Sequence, residues 1–211
     1  MTVNPVNDPP VAQGDAYETM ENSALTILAS GGVMNVRAGN ADQLYGVGAV
    51  LYADFGASGL WKYEESKWAI VSEMNAEGMT SVGSTLYIDS GAGGVYQYAS
   101  GKLTALDTPD PELLYGTDEI LYADFGVERG GVYSFDGKAW TSLGTEKMDA
   151  QEMALAGRDF YVDFGLDGLG RYYAGAWQLV TKADAEGMAP VGSALYVDFG
   201  ASGISRVVAS R

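Results

Sequence analysis

The chain has 211 residues, 47% of them hydrophobic, and is long enough to bury the core of one or two ordinary domains. Asp and Glu outnumber Lys and Arg by 28 to 12, and the net charge of −16 argues against nucleic acid and anionic membranes as partners, because both would be repelled. Cys and His are absent, which excludes disulfides, thiol chemistry and every nucleophile that a His activates. No apolar run is long enough to span a bilayer, so we expect no membrane insertion.

Residues 1–30 precede the repeated part of the chain. Three prolines, Pro5, Pro9 and Pro10, stiffen this segment, which favours an extended linker. The stretch "VNPVNDPPVAQGDAYETMENSALTI" resembles the leading segment of cadherin-like and immunoglobulin-like modules in large bacterial surface and secreted adhesins. That resemblance implies an extracellular or cell-surface location, and we predict a linker over residues 1–30 followed by a single domain over residues 31–211.

A hexapeptide recurs five times in the rest of the chain. "LYADFG" occupies residues 51–56 and again residues 121–126, and near copies begin at Leu86, Phe160 and Leu195. Its Asp falls at positions 54, 89, 124, 163 and 198, so the spacings are 35, 35, 39 and 35. A fixed period of this length predicts a repeat architecture.

Each repeat unit contains four short β-prone runs separated by turn residues. In the second unit these runs are "MTSVG", "TLYIDS", "VYQYA" and "KLTALD", with "GAGG" after the second run. Nothing of helical period lies between them. Four antiparallel strands per unit, stacked face to face on their neighbours, describe the blade of a β-propeller, with the hexapeptide as its second strand.

The two ends of the repeated region complement each other. The segment "VMNV", from Val33 to Val36, aligns with the fourth strand of a unit, whereas the last unit supplies three strands before the chain stops. We therefore predict an all-β fold: a five-bladed β-propeller of about 35-residue, four-stranded blades, closed by the Val33–Val36 strand completing the C-terminal blade. Such closure would remove open sheet edges.

The repeat "LYxDFGxxGLWxY…W" resembles short propeller repeats amplified within bacterial proteins. It is also loosely similar to five-bladed propeller lectins of the tachylectin type over residues 33–208, although its blades are shorter than the lectin blade. This resemblance implies a secreted carbohydrate-binding module with sites between blades.

Candidate binding residues lie in the acidic connections that precede each first strand, where loops are exposed. Their carboxylates and amides suit hydroxyl-rich ligands beside an aromatic platform, although turn formation by the acids and packing between blades by the aromatics are the alternative interpretations. The candidate ligand contacts are Asn75, Glu77, Asp110, Glu112, Asp184, Glu186, Trp61 and Tyr96.

The five Asp residues of the hexapeptide have two interpretations. They could form a ring that coordinates cations or accepts hydrogen bonds from sugar hydroxyls, or each could accept hydrogen bonds from the N–H groups of the Gly turn that follows it. We favour the turn interpretation, because folding needs the Asp in every blade whereas binding does not. No cofactor is expected, because the loops lack the ligand spacing of an EF-hand. Calcium in a loop stays an alternative because the chain is strongly acidic.

These features together predict a non-catalytic, monomeric binding or adhesion module, and we expect a carbohydrate ligand. The alternative is a structural spacer or a protein–protein interaction propeller within a large bacterial surface protein. An enzyme is not expected, because blades of some 35 residues leave little chain for a catalytic cleft.

Overall fold

The computed structural model describes residues 36–207, in which all regular structure is β-strand or short 3-10 turn. The described residues from Ala41 onward belong to one compact unit. The predicted linker over residues 1–30, and all of the predicted strand that begins at Val33 except Val36, lie outside the described residues. Among the described residues, no helix is long and apolar enough to cross a membrane.

Within residues 36–207, nineteen strands form five antiparallel sheets, numbered here in chain order. Sheet 1 contains β1 (Gln43–Val47), β2 (Val50–Asp54), β3 (Leu60–Glu64) and β4 (Lys67–Ser72). Sheet 2 contains β5 (Gly78–Val82), β6 (Thr85–Asp89), β7 (Val95–Ala99) and β8 (Lys102–Ala105). Sheet 3 contains β9 (Leu113–Gly116), β10 (Leu121–Asp124), β11 (Val132–Phe135) and β12 (Trp140–Ser142).

The last two sheets continue the pattern. Sheet 4 contains β13 (Glu152–Ala156), β14 (Asp159–Asp163), β15 (Leu169–Tyr173) and β16 (Ala176–Thr181). Sheet 5 contains β17 (Gly187–Val191), β18 (Ala194–Asp198) and β19 (Ile204–Val207). Short 3-10 turns join the second and third strands at Gly56–Ser58, Gly91–Gly93, Val127–Arg129, Gly165–Asp167 and Gly200–Ser202.

The hexapeptide forms the second strand of every sheet, as the sequence predicts. Each strand order is a simple meander, so neighbouring strands along the chain are hydrogen-bonded neighbours in the sheet. Four sheets have four strands and the fifth has three within the described residues, as the repeat count also predicts.

The third unit carries the four extra residues in two places. From Asp124 to Val132 the chain advances by eight positions, whereas from Asp54 to Leu60 it advances by six, so two extra residues enlarge the turn. The other two lie between β12 and β13. Both insertions thus lie in connections between strands, where inserted residues are tolerated best.

The core lies between successive sheets, which pack face to face. The Tyr of the second strand in sheets 1 to 4 reaches the following sheet: for example, the Tyr52 ring lies 6.0 Å from Tyr98, and the Tyr122 ring stacks on Phe160 at 3.7 Å. The first strands of successive sheets also contact one another, from β1 to β5 and onward to β17. Each junction between two sheets therefore repeats the same packing.

The outward face of sheet 5 differs from its counterparts. Tyr161 of sheet 4 is 1% exposed because sheet 5 covers it, but the equivalent Tyr196 of sheet 5 is 38% exposed. Val191 and Ile204 on the same sheet are exposed as well. The coarse prediction of stacked four-stranded blades is confirmed, whereas closure of the five sheets into a ring stays a prediction.

Candidate functional site

The Asp that ends each second strand accepts a backbone hydrogen bond from the Gly turn that follows. In sheets 2 to 5 the N–H groups of Gly91, Gly126, Gly165 and Gly200 donate to Asp89, Asp124, Asp163 and Asp198 over 2.8, 3.1, 3.2 and 2.9 Å. These bonds agree with the turn interpretation of the repeated Asp. In sheet 1, both oxygens of Asp54 are buried without a hydrogen bond of standard geometry from the described residues. Burial raises the pKa of Asp54, and the nearby amides of Ala76 and Gly56 offset part of that rise.

Some of these Asp residues also reach the connection that leads to the next sheet. The N–H of Ala150 donates to Asp124 Oδ2 over 2.8 Å, and the N–H of Ala185 donates to Asp163 Oδ1 over 3.5 Å. Pro111 occupies the corresponding position after sheet 2 and has no N–H to donate. Asp89 Oδ2 consequently accepts no hydrogen bond from the residues that the structure describes.

Two groups of three carboxylates form where one sheet meets the next. Each group combines an exposed acid that precedes the first strand of a sheet, the Asp that ends the second strand of that sheet, and an acid that precedes the following sheet. Within each group, one oxygen of every residue lies within 4.8 Å of the others. The first cluster consists of Glu77, Asp89 and Asp110, and the second cluster consists of Glu112, Asp124 and Asp149.

Both clusters contribute to one open cavity, which we call the junction cavity. It has a volume of about 780 Å³, and the Arg129 guanidinium at its wall donates to the main-chain oxygen of Asp110 over 3.1 Å. Its lining residues are Glu77, Asp89, Asp110, Pro111, Glu112, Phe125, Val127, Glu128, Arg129 and Asp149. Six carboxylates and a single cationic side chain make this lining strongly negative.

Burial and like charge perturb the acids of the cavity. Desolvation, with smaller contributions from the charges of Asp110 and Glu77, raises the pKa of Asp89 to about 6 against the opposing hydrogen bond from Gly91. Desolvation also raises the pKa of Glu112, and the hydrogen bond that it shares with Asp149 raises it further. The cavity thus holds negative charge that a cation or a hydrogen-bond donor would stabilise.

The sequence-predicted acids divide into two sets. Glu77, Asp110 and Glu112 line the junction cavity. Asp110 and Glu112, which share a loop, belong to different clusters, because each is grouped with an acid from another connection between sheets. The other three predicted polar residues, Asn75, Asp184 and Glu186, are exposed outside this cavity. At the junction between sheets 1 and 2, Asp42 Oδ2 and Asn75 Oδ1 both lie over Gly56. This junction therefore resembles the two clusters, but an amide replaces one of the three carboxylates.

The predicted aromatic platform lies apart from the acids. Trp61 and Tyr96 sit at the same register position, opposite Ala53 and Ile88, as their alignment in the repeat indicates. The Trp61 indole donates to Ser58 O over 2.8 Å, and half-buried Tyr96 packs against the core between sheets 1 and 2. Neither side chain lines the junction cavity.

Four residues that line the cavity were not among the predicted ligand contacts. These are Asp149, Glu128, Arg129 and Asp89, and for Asp89 the turn interpretation was favoured over ligand binding. Pro111 marks this unit as different in the sequence itself, because the equivalent positions of the other units are all alanine: Ala41, Ala76, Ala150 and Ala185. Only the packing of sheets 2, 3 and 4 on one another brings these residues together.

No family model and no curated protein matches the sequence. Among solved structures, the computationally designed protein Ika8 matches with a TM-score of 0.54 and 9% identity, over 74% of this chain and 54% of that chain. YCF48 bound to D1 peptide matches with a TM-score of 0.54 and 11% identity, over 82% and 64% of the two chains. A structure of S. cerevisiae Dbp5 bound to Nup159 matches with a TM-score of 0.50 and 13% identity, over 75% and 57%.

These neighbours are β-propellers, so the chain has a propeller-type arrangement of repeated antiparallel sheets. It spans between 54% and 64% of the length of the three matched chains. At these identities the likeness concerns the fold alone.

Proposed function

We propose that this chain is a non-catalytic binding module and that the junction cavity is its binding site. The observation that carries the proposal is the convergence of six carboxylates on one open cavity of about 780 Å³. Ligand sites commonly have volumes of about 300–1,000 Å³.

The ligand that fits this lining best is a positively charged segment of another protein. The net charge of −16 attracts basic partners over long range, and the cavity places the excess charge at one location. Protein binding is also compatible with the solved structure of YCF48, which contains a bound peptide. The exposed carboxylates of Glu77, Glu112 and Asp149 would pair with Lys or Arg side chains of the partner.

Carbohydrate is the second candidate ligand, and the recurrence of exposed polar residues at other junctions favours it. Asn75, Asp184 and Glu186 offer acceptors for sugar hydroxyls at positions equivalent to those in the cavity. Several weak sites per chain would suit an adhesion module at a cell surface. The separation of Trp61 and Tyr96 from the acids weakens this candidate, since sugars usually need a stacking surface beside their acceptors.

Closure of the five sheets into a ring is part of the proposed architecture. It would cover Tyr196 and Ile204, which are exposed on sheet 5 although the equivalent positions in sheet 4 are buried. Apolar patches of this kind are usually covered by a neighbour in soluble proteins.

The proposed function is tested by peptide binding in metal-free buffer. We expect a fluorescent Lys/Arg-rich peptide to bind more tightly than an uncharged peptide of equal length, and the Glu112→Gln/Asp149→Asn double variant to weaken that binding by about tenfold. The control double variant, Glu65→Gln/Asp107→Asn, removes the same charge from exposed turns outside the cavity and should bind within about twofold of the unmodified chain.

Three other outcomes would contradict this assignment. Equal weakening by both double variants would mean that net charge, and not the cavity, attracts the peptide. A glycan-array signal with no peptide binding would establish the carbohydrate candidate. Absence of both signals would leave the structural spacer as the function.

A further inference from the structure

A small apolar pocket lies on sheet 4, apart from the junction cavity. Its volume is about 140 Å³, and it shares no lining residue with the junction cavity. Met148, Phe164, Trp177 and Leu179 supply its apolar wall, and Asp167 is the one ionisable residue of the lining. An apolar cavity of about 150 Å³ is large enough to bind one benzene ring. The pocket therefore has the size and the lining that suit a single ring.

The pocket opens beside Gly170, where the other four-stranded sheets carry an aromatic side chain. The equivalent third-strand residues of sheets 1 to 3 are Trp61, Tyr96 and Tyr133. The Phe164 and Trp177 rings lie close to the Gly170 main chain, since a Cβ there would be 2.9 Å from Phe164 Cε2. They nevertheless leave the pocket open next to them. Among the four-stranded sheets of the described residues, sheet 4 alone lacks the third-strand aromatic.

Sheets 1 and 3 show how the fold accommodates a ring at this place. In sheet 1 the Trp61 ring reaches back to the 3-10 turn, and its indole N–H donates to Ser58 O over 2.8 Å. In sheet 3 the Tyr133 ring packs edge to face on Phe125, with 5.6 Å between the ring centroids. Phe164 is the equivalent of Phe125 and lines the pocket. A ring in the pocket of sheet 4 can therefore make the same two contacts, with the turn and with the Phe.

The turn of sheet 4 adds a negative charge to this arrangement. Asp167 occupies the position of Ser58, the residue that accepts the indole hydrogen bond in sheet 1. Its side chain is exposed at the pocket, and no described residue of the lining is cationic. The net charge of −16 adds to the negative potential of the surroundings. A ring with a positively charged substituent therefore matches the pocket better than a neutral or an anionic ring.

We propose that this pocket binds the ring of a small aromatic amine, with the ammonium group beside Asp167. The ring packs against Phe164 and Trp177, and edge-to-face contacts between aromatic rings are favourable. The ammonium group donates a charge-assisted hydrogen bond to the carboxylate. The proposal does not rest on the proposed function, because the two sites share no lining residue.

Titration of the full chain with tryptamine tests the proposal, with NMR detection of isotope-labelled methionine methyl groups. We expect a saturable shift of the Met148 methyl signal with a Kd of about 0.1–1 mM, a range typical of a ligand of this size. The methyl of Met79, which packs in the core between sheets 1 and 2, should not shift. Indole-3-propionate has the same ring and linker with the opposite charge, and it should bind at least about threefold more weakly.

Two variants separate the charge from the apolar wall. Asp167→Asn keeps the shape of the side chain and should weaken tryptamine binding about threefold without weakening indole-3-propionate binding. Leu179→Ala removes part of the wall and should weaken both ligands about threefold. Both residues are exposed, so both variants keep the fold. The matched control Asp107→Asn removes an exposed charge outside the pocket and should bind within about 1.5-fold of the unmodified chain.

Three results would overturn the proposal. The first is the absence of a saturable Met148 shift at about 10 mM tryptamine. The second is equal affinity for the two indoles, which would mean that the charge at the turn plays no part. The third is equal weakening by Asp167→Asn and Asp107→Asn, which would mean that net charge alone attracts the amine.

Discussion

At Gly170, the absence of a side chain decides how two aromatic rings pack in sheet 4. The equivalent third-strand positions of the first three sheets hold Trp61, Tyr96 and Tyr133. In sheet 4 the Phe164 and Trp177 rings occupy the space beside the main chain, and the Trp177 indole also donates to Leu143 O of sheet 3 over 2.6 Å. The Phe164 and Trp177 rings thus fill the space beside the main chain that a side chain at position 170 would occupy.

We expect Gly170→Ala to destabilise the chain by about 1–3 kcal/mol, because overpacking displaces rings that are held by neighbouring contacts. A Cβ at this position would lie 2.9 Å from Phe164 Cε2 and 3.1 Å from Trp177 Cε3. Chemical denaturation measures the free energy of unfolding. The control Gly46→Ala, in β1, meets no atom within 4 Å and should leave stability within about 0.5 kcal/mol; equal losses in both variants would contradict the packing argument.

At the scale of one element, the Asp that ends a second strand forms hydrogen bonds to the turn that follows it and to the connection that leads to the next sheet. Asp163 at the end of β14 accepts N–H groups from Gly165 and Ala185, which lie on either side of the junction between sheets 4 and 5. Desolvation raises the pKa values of Asp54, Asp124 and Asp163 more than these hydrogen bonds lower them. The ionised form is therefore less favourable in the folded chain than in the unfolded chain.

This pKa shift predicts the direction of the pH dependence of stability. Carboxyls with a raised pKa bind more protons when folded, so the free energy of unfolding falls as the pH rises from about 4, the unfolded value, through the raised folded values. We expect a higher melting temperature at about pH 5 than at about pH 8 in metal-free buffer.

The Asp163→Asn variant separates the contribution of one carboxyl to this pH dependence. Asn keeps an acceptor oxygen for the turn and removes the charge, so the melting temperature should change less with pH than in the unmodified chain. The exposed Asp167→Asn variant, in the adjacent 3-10 turn, should retain the original dependence. A melting temperature that rises from about pH 5 to about pH 8 would refute the argument.

At the scale of the whole molecule, successive sheets bury one another's apolar side chains, whereas the first and last sheets keep apolar side chains exposed. Sheet 4 buries Tyr161 against sheet 5, whereas Tyr196 of sheet 5 is 38% exposed. Leu44 of sheet 1 is 65% exposed, although the equivalent Met153 of sheet 4 is 4% exposed. Ring closure would cover apolar groups of both kinds.

We expect Tyr196→Ala to destabilise the chain by about 3 kcal/mol, as burial of an aromatic side chain in a closed ring requires. Tyr161→Ala, at the covered position of sheet 4, provides the positive reference, and Leu179→Ala, on exposed β16, should cost less than about 1 kcal/mol. Urea denaturation of the three variants compares them directly. If Tyr196→Ala resembles Leu179→Ala, the outward face of sheet 5 is uncovered in solution and the closed ring is wrong.

The sequence by itself determined the five units, their strand order and the equivalence of positions between units. The repeated hexapeptide predicts a second strand in each sheet. The paired registers place Trp61, Tyr96 and Tyr133 at equivalent positions of three sheets, as their spacing indicates. Such features depend on local pattern, since strand alternation and Gly turns are encoded within about ten neighbouring residues.

The tertiary structure alone decided which acids meet. Sequence reasoning paired Asp110 with Glu112 because they share a loop. Packing of sheet 2 on sheet 3 instead places Asp110 with Glu77 and Asp89, and packing of sheet 3 on sheet 4 places Glu112 with Asp149. The spacing of a repeat does not state which position of one unit faces which position of the next. That depends on the angle and separation at which two sheets bury their apolar faces, and burial is a property of the packed chain.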